Sequence, residues 1–178
     1  MMRYEYIFET IDSVIYRLEL IMPNPSDWRS HHVEHPQSDN DYFERMSRVV
    51  FMSGLNWKTL EKKWPGIKTA FAGFDIETVS HFDEAKIDAL MANPDVIRNL
   101  SKIKAIVSNA EEMDKVIQEY GSFERYLERL QDDGGEDGLR SEISKRFAFM
   151  GKGTTVIFLY SVGLELPKAS EEWQDRHA

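Results

Sequence analysis

The stretch Phe149-Met150-Gly151-Lys152-Gly153-Thr154-Thr155-Val156-Ile157 decides how this chain is read. Apolar residues lead into it (Phe147, Phe149, Met150), and helically spaced ones leave it (Val156, Leu159, Tyr160). Two glycines one residue apart permit a sharp turn and a close approach of the backbone to something bulky. The pattern is that of a Gly-x-Gly hairpin running into a helix. The first amides of a helix have no partner within it and lie at the positive end of its dipole, which suits a phosphate. Lys152 stands between the glycines, with Lys145 and Arg146 just upstream. Amides and cations so placed grip a nucleic-acid phosphate without reading its base. Gly-x-Gly turns are common, so the meaning of this one depends on its surroundings.

Outward from the hairpin the chain reads as helices joined by short turns, with little strand signal. Ile7, Ile11, Val14, Ile15 and Leu18 predict an N-terminal amphipathic helix that Pro23-Asn24-Pro25 ends. Trp28–Gln37 reads as a polar, His-rich loop. Ser38, with Asp41 three residues on, predicts an N-cap, and the helix it opens turns Tyr42, Phe43, Met46, Val49, Val50 and Ser53 inward before Gly54. Asn56 is expected to cap a helix through Trp57, Leu60 and Trp64 that Pro65 terminates. Short helices are expected near residues 67–72, 83–92 and 94–99. The longest is expected from about Ser101 to Tyr120, stopped by Gly121. Ser122 starts another, residues 131–138 form an acidic, glycine-rich loop, and a helix through Ile143 returns to the hairpin. The last core helix ends at Gly163, and 167–178 reads as a peripheral tail. Together these predict one compact all-α domain over 1–178.

Composition narrows the class. A chain of 178 residues, 42% of them apolar, is long enough for a true core. There is no cysteine, which excludes a disulfide framework, a thiolate metal site and a thiol nucleophile. No run of 18 apolar residues is present, and the N-terminus lacks the pattern of a signal peptide, so a cytoplasmic protein with no membrane partner is expected. The net charge of -9 argues against a nucleic-acid partner at first sight. The acid is concentrated, however: residues 105–138 carry 10 acidic and 3 basic side chains, whereas residues 139–178 carry 5 and 6. A local cationic patch matters more to a phosphate than the total does.

Three blocks change the reading when taken together. The first is Tyr42-Phe43-Glu44 through Ser53-Gly54-Leu55-Asn56-Trp57, continuing to Phe71 and Phe74-Asp75. The second is Ile97-Arg98-Asn99 with Lys102-Ile103 and Asn109-Ala110. The third is Lys145-Arg146 through Thr154-Thr155, Tyr160-Ser161 and Gly163. Their order and spacing resemble the DNA-3-methyladenine glycosylase I family, a branch of the helix-hairpin-helix DNA glycosylases, over roughly residues 40–165. The resemblance implies an all-helical fold that grips duplex DNA by its hairpin, flips an alkylated adenine into a pocket and cuts its N-glycosidic bond. It implies no cofactor and a monomer acting on double-stranded DNA with alkylated bases.

Carried over residue by residue, Trp57 falls on the tryptophan that stacks on the flipped base, and Asn56, Phe51 and Val49 are candidates to line the same pocket. Gly151, Lys152, Gly153, Thr154 and Thr155 fall on the DNA-binding hairpin. Arg98 and Lys102 are read as phosphate-facing or as supports for the site. No catalytic residue is assigned. Two departures stand out. A glutamate of the family that hydrogen-bonds the methylated base is replaced by Val49, which accepts no hydrogen bond. The family's zinc, held by two Cys and two His, cannot form in that composition here, and no metal is expected. Residues 1–39 do not follow the family, although Trp28, His31 and His32 could refill the space. The plainer readings are a core role for Trp57, Phe51, Met46 and Met52, a solvated loop for His31, His32 and His35, and a solvated helix face for Arg98, Lys102 and Lys104. Rival functions are a degenerate protein that binds damaged DNA without cutting it, and a helical interaction protein.

Overall fold

The structure, a computed structural model, describes residues 35–53 and 57–164, and of Trp57 only the backbone. Ser38 opens the first described helix. Its side chain accepts from the amide of Asp41, as the spacing predicts, and α1 runs Asp39–Met52. There follow α2 (Trp57–Ala70), a 3-10 turn (Ala72–Phe74), α3 (Ile76–Ser80), α4 (Glu84–Ala92), α5 (Leu100–Tyr120), α6 (Phe123–Arg146) and α7 (Lys152–Ser161). No strand occurs among the described residues, so the architecture is all-α. The side chains of Asp75, Asp83, Asn99 and Ser122 cap α3, α4, α5 and α6 in the same way, each accepting from an amide of the first turn.

α5 is the axis of the fold and packs against α1, α3, α4 and α6. Its buried face carries Ile103, Ile106, Val107, Ala110, Met113 and Val116, together with Lys102 and Asn109. One aromatic cluster joins Phe43, Phe51, Trp64, Phe71 and Phe74, with Trp64 and Phe74 stacked at 5.2 Å. A second gathers Tyr42, Tyr126, Phe147 and Phe158 around Phe123. Asp39 ties the two ends of the bundle, its Oδ1 accepting from the Phe123 amide at 2.7 Å.

Several expectations are corrected. Pro65 does not terminate α2 but lies inside it. Proline forfeits one intrahelical hydrogen bond, whereas Trp64 and Ile67 on either side of it are both buried. A Cβ at Gly66 would come within 2.7 Å of Asp95 Cβ, so this Pro-Gly pair also admits the segment before α5. That segment, residues 94–99, is not helical. Asn93 ends α4 instead, and its Oδ1 accepts from the Asp95 amide at 2.9 Å. The acidic stretch 131–138 is helix rather than loop, interrupted only at Gly135 (φ 59, ψ -162), which makes α6 longer than α5. Ion pairs between Arg129 and Asp133, and between Glu136 and Arg140, one turn apart, support it. The short helix α3 was not anticipated. The N-terminal helix, His31 and His32, Gly54-Leu55-Asn56 and the tail 167–178 lie outside the described residues.

Candidate functional site

The hairpin between α6 and α7 forms, with its special backbone in an unexpected place. Gly151 is the N-cap of α7 at φ -64 and ψ 170, so α7 begins at Lys152 and Gly153 falls within its first turn. The left-handed residue is Phe149, at φ 60, and its side chain is 44% exposed. Among the described residues no side chain caps α7, and none lies within 4 Å of where a Gly151 Cβ would be. The first amides of α7 therefore open beside free space. Lys152 and Lys145 are exposed and Thr154 is half-buried.

The hairpin is braced from below. Asn109, 2% exposed on α5, donates from Nδ2 to the Ala148 carbonyl (3.0 Å) and accepts at Oδ1 from the Ala148 amide (2.7 Å). Phe147 and Met150 on either side of this clamp are buried. Thr155 is fully buried and its hydroxyl donates to the Met150 carbonyl at 2.8 Å. Thr155, expected on the DNA-binding hairpin, spends its hydroxyl on closing the turn, which leaves that side chain no part in a DNA contact. Arg146 is also committed elsewhere. Its Nε donates to Glu112 Oε1 at 2.6 Å, and its guanidinium lies 5.2 Å from the centre of the Tyr126 ring. Burial favours the neutral form of Glu112, but hydrogen bonds from Arg146 and Lys115 outweigh it and hold the carboxyl below its ordinary value.

Of the two readings of Lys102, phosphate-facing or supporting, its contacts fit the second. It is 6% exposed, and its Nζ donates to the carbonyls of Phe51 (2.9 Å) and Ser53 at the end of α1. It supports the turn ahead of Trp57 and does not face a phosphate. Burial pushes its amine below the ordinary lysine range. A cation at the last carbonyls of a helix meets the negative end of the helix dipole. Arg98, four residues earlier, is exposed, and no described residue engages it.

Of the four pocket candidates, two belong to the core. Phe51 is fully buried, edge-on to Trp64 and Phe71, and Val49 is 5% exposed on α1. Phe51 is thereby corrected from pocket lining to packing between α1 and α2. Trp57 opens α2, and Asn56 lies outside the described residues. The chain has no Cys, so a metal site of two Cys and two His cannot form in it.

Sequence reasoning named Asn109 only as a matched position and missed its clamp. The available signal was a polar side chain on the apolar stripe of α5, at helical spacing from Ile106, Ala110 and Met113.

Known proteins resemble this chain in sequence and fold. The profile of the methyladenine glycosylase family matches residues 28–149. A curated relative, DNA-3-methyladenine glycosylase of Haemophilus influenzae, is 30% identical over 148 residues, covering 72% of this chain and 80% of its own length. DNA-3-methyladenine glycosylase 1 of Escherichia coli is 32% identical over a shorter stretch of 76 residues, 42% of this chain and 41% of that one. The solved structure of 3-methyladenine DNA glycosylase I from Staphylococcus aureus superposes with a TM-score of 0.67 at 26% identity, covering 83% of this chain and 94% of that one. On the extent of these matches, this chain belongs to the methyladenine glycosylase family.

Proposed function

We infer that the protein is a DNA glycosylase of base-excision repair that hydrolyses the N-glycosidic bond of an alkylated purine. The family match over residues 28–149 carries this reading, since it spans both the turn before Trp57 and the approach to the hairpin. The chemistry is undemanding of acid catalysis. A purine methylated at N3 is cationic. When its bond to C1′ breaks, the electron pair goes to the base and neutralises it, and water adds at C1′ and releases a proton. The protein's tasks are to hold the extruded base and to favour charge developing on the sugar.

Trp57 supplies the stacking face, since an aromatic ring attracts a cationic base more than a neutral one. The first amides of α7, with Gly151 and Lys152, anchor a phosphate of duplex DNA, and Arg98 and Thr154 add contacts to the backbone. Val49 replaces a hydrogen-bond acceptor by a hydrocarbon, so discrimination rests on stacking and shape. The protein acts as a monomer and in the cytoplasm. Among the described residues no helix is long and apolar enough to cross a membrane.

The test is chromatography of bases released from methylated duplex DNA. Release of 3-methyladenine is expected. Retained binding of the same duplex without release would instead support a protein that binds damage and leaves it uncut. Val49→Glu should raise release of 3-methyladenine relative to other alkylated purines, at some cost in stability from a buried carboxylate.

A further inference from the structure

Among the described residues the buried polar side chains are Ser47, Lys102, Asn109 and Thr155. Lys102 and Asn109 share the core face of α5, seven residues apart, which is about 10 Å of axial rise with only about 20° of drift around the helix. Each leaves that apolar face to bind backbone of another segment. Lys102 takes the carbonyls of Phe51 and Ser53, where α1 ends and the chain heads toward Trp57. Asn109 takes the amide and carbonyl of Ala148, in the hairpin before α7. Neither has a side-chain partner among the described residues, and both are buried.

An apolar stripe would pack this face at lower cost, because burying an ammonium or an amide is unfavourable unless each polar group is met. Both residues meet theirs with backbone atoms of the two segments assigned to the base and the phosphate. We propose that Lys102 and Asn109 are positioning residues that make α5 a ruler, fixing the distance between the base-stacking turn and the phosphate-anchoring hairpin. A flipped base and its flanking phosphates are joined covalently, so a fixed distance in the protein selects one depth of extrusion. Misplacement by a fraction of the base's size is enough to lose reaction geometry. This proposal rests on the functional reading above for its DNA chemistry, but its structural half can be tested alone.

The experiment compares Lys102→Met, Asn109→Ala and wild type by three readouts. Amide hydrogen exchange, measured without DNA, should rise in Lys102→Met around residues 51–57 only, and in Asn109→Ala around residues 147–153 only. Single-turnover release of 3-methyladenine at saturating duplex should fall about tenfold or more in Lys102→Met, with binding of undamaged duplex within about twofold of wild type. Asn109→Ala should weaken binding of undamaged duplex about fivefold or more and change the saturated rate less than Lys102→Met does. Lys102→Arg, which keeps the charge and the donors, should recover part of the rate. Should the methionine or alanine variant fail to fold, Lys102→Arg and Asn109→Asp, the latter losing only the donor to Ala148, carry the same comparison. The proposal is overturned if exchange rises equally at both segments in both variants, or if rate and binding fall together in proportion to lost thermal stability. Wild-type protein that releases no base would sink the activity reading while the exchange pattern still judged the ruler.

Discussion

The end of α1 and the hairpin before α7 are both tethered to α5, but by different chemistry. The hairpin is held by a planar amide that both donates and accepts at one residue, Ala148, and is closed again by Thr155. The end of α1 is held by an ammonium that meets two carbonyls. A paired amide fixes orientation as well as distance, whereas a lysine ammonium is a point charge on a flexible stem. The hairpin is therefore defined by geometry, and the end of α1 by charge.

Removing the geometric anchor should have the largest effect. Asn109→Ala leaves a part-buried amide and carbonyl without partners, a loss of roughly 1–3 kcal/mol, read as a lower midpoint in urea unfolding. An unchanged midpoint would mean that water replaces the clamp. Thr155→Val keeps shape and removes one hydrogen bond at a fully buried site, for about 1 kcal/mol, measurable in the same way.

Phe149 sharpens the comparison from the other direction. Its left-handed backbone costs a residue with a side chain roughly 1–2 kcal/mol, of which the greater chain entropy of glycine cancels part. Phe149→Gly should stabilise the protein by about 0.5 kcal/mol. A lower melting temperature would show that the half-exposed ring contributes more packing than its backbone costs.

The smallest effect is confined to alkaline pH and separates the two anchors by titration. Burial lowers the Lys102 pKa below the ordinary 10.5, with no carboxylate among the described residues to offset it. Between the folded pKa and the unfolded value the folded state binds fewer protons, so stability gains a contribution that rises with pH through that window. Lys102→Met should remove this increment from a plot of unfolding free energy against pH, and Asn109→Ala should keep it. Equal curves for wild type and Lys102→Met would indicate an ammonium that carbonyls hold charged.

Much of this fold was legible in local signals. Ser38 and Ser122 announced their helices, because a cap is a relation among residues three apart. Pro65 misled, because a breaker loses when packing on both sides outweighs it, and only tertiary structure shows that; the glycines of 131–138 misled, because ion pairs one turn apart, Arg129–Asp133 and Glu136–Arg140, span an exposed stretch. Trp57 and Gly151 could be singled out by resemblance and turn chemistry. Lys102 was offered as a support and Asn109 as a matched position, but what they hold could not be read, because their partners are backbone atoms 49–51 and 39 residues away in sequence, and backbone leaves no signature in side-chain pattern. Thr155 looked like a ligand contact for the same reason: its partner is a carbonyl inside the turn.

The central claim is that base chemistry belongs to the turn at Trp57 and DNA anchorage to the hairpin. It is tested most directly by measuring single-turnover release of 3-methyladenine and binding of undamaged duplex, side by side, for wild type and Trp57→Ala. Wild type should release the base. Trp57→Ala should lose release while binding undamaged duplex within about twofold of wild type, because stacking acts only on an extruded base. Equal release by the two proteins, or loss of release and binding together in a folded variant, would contradict it.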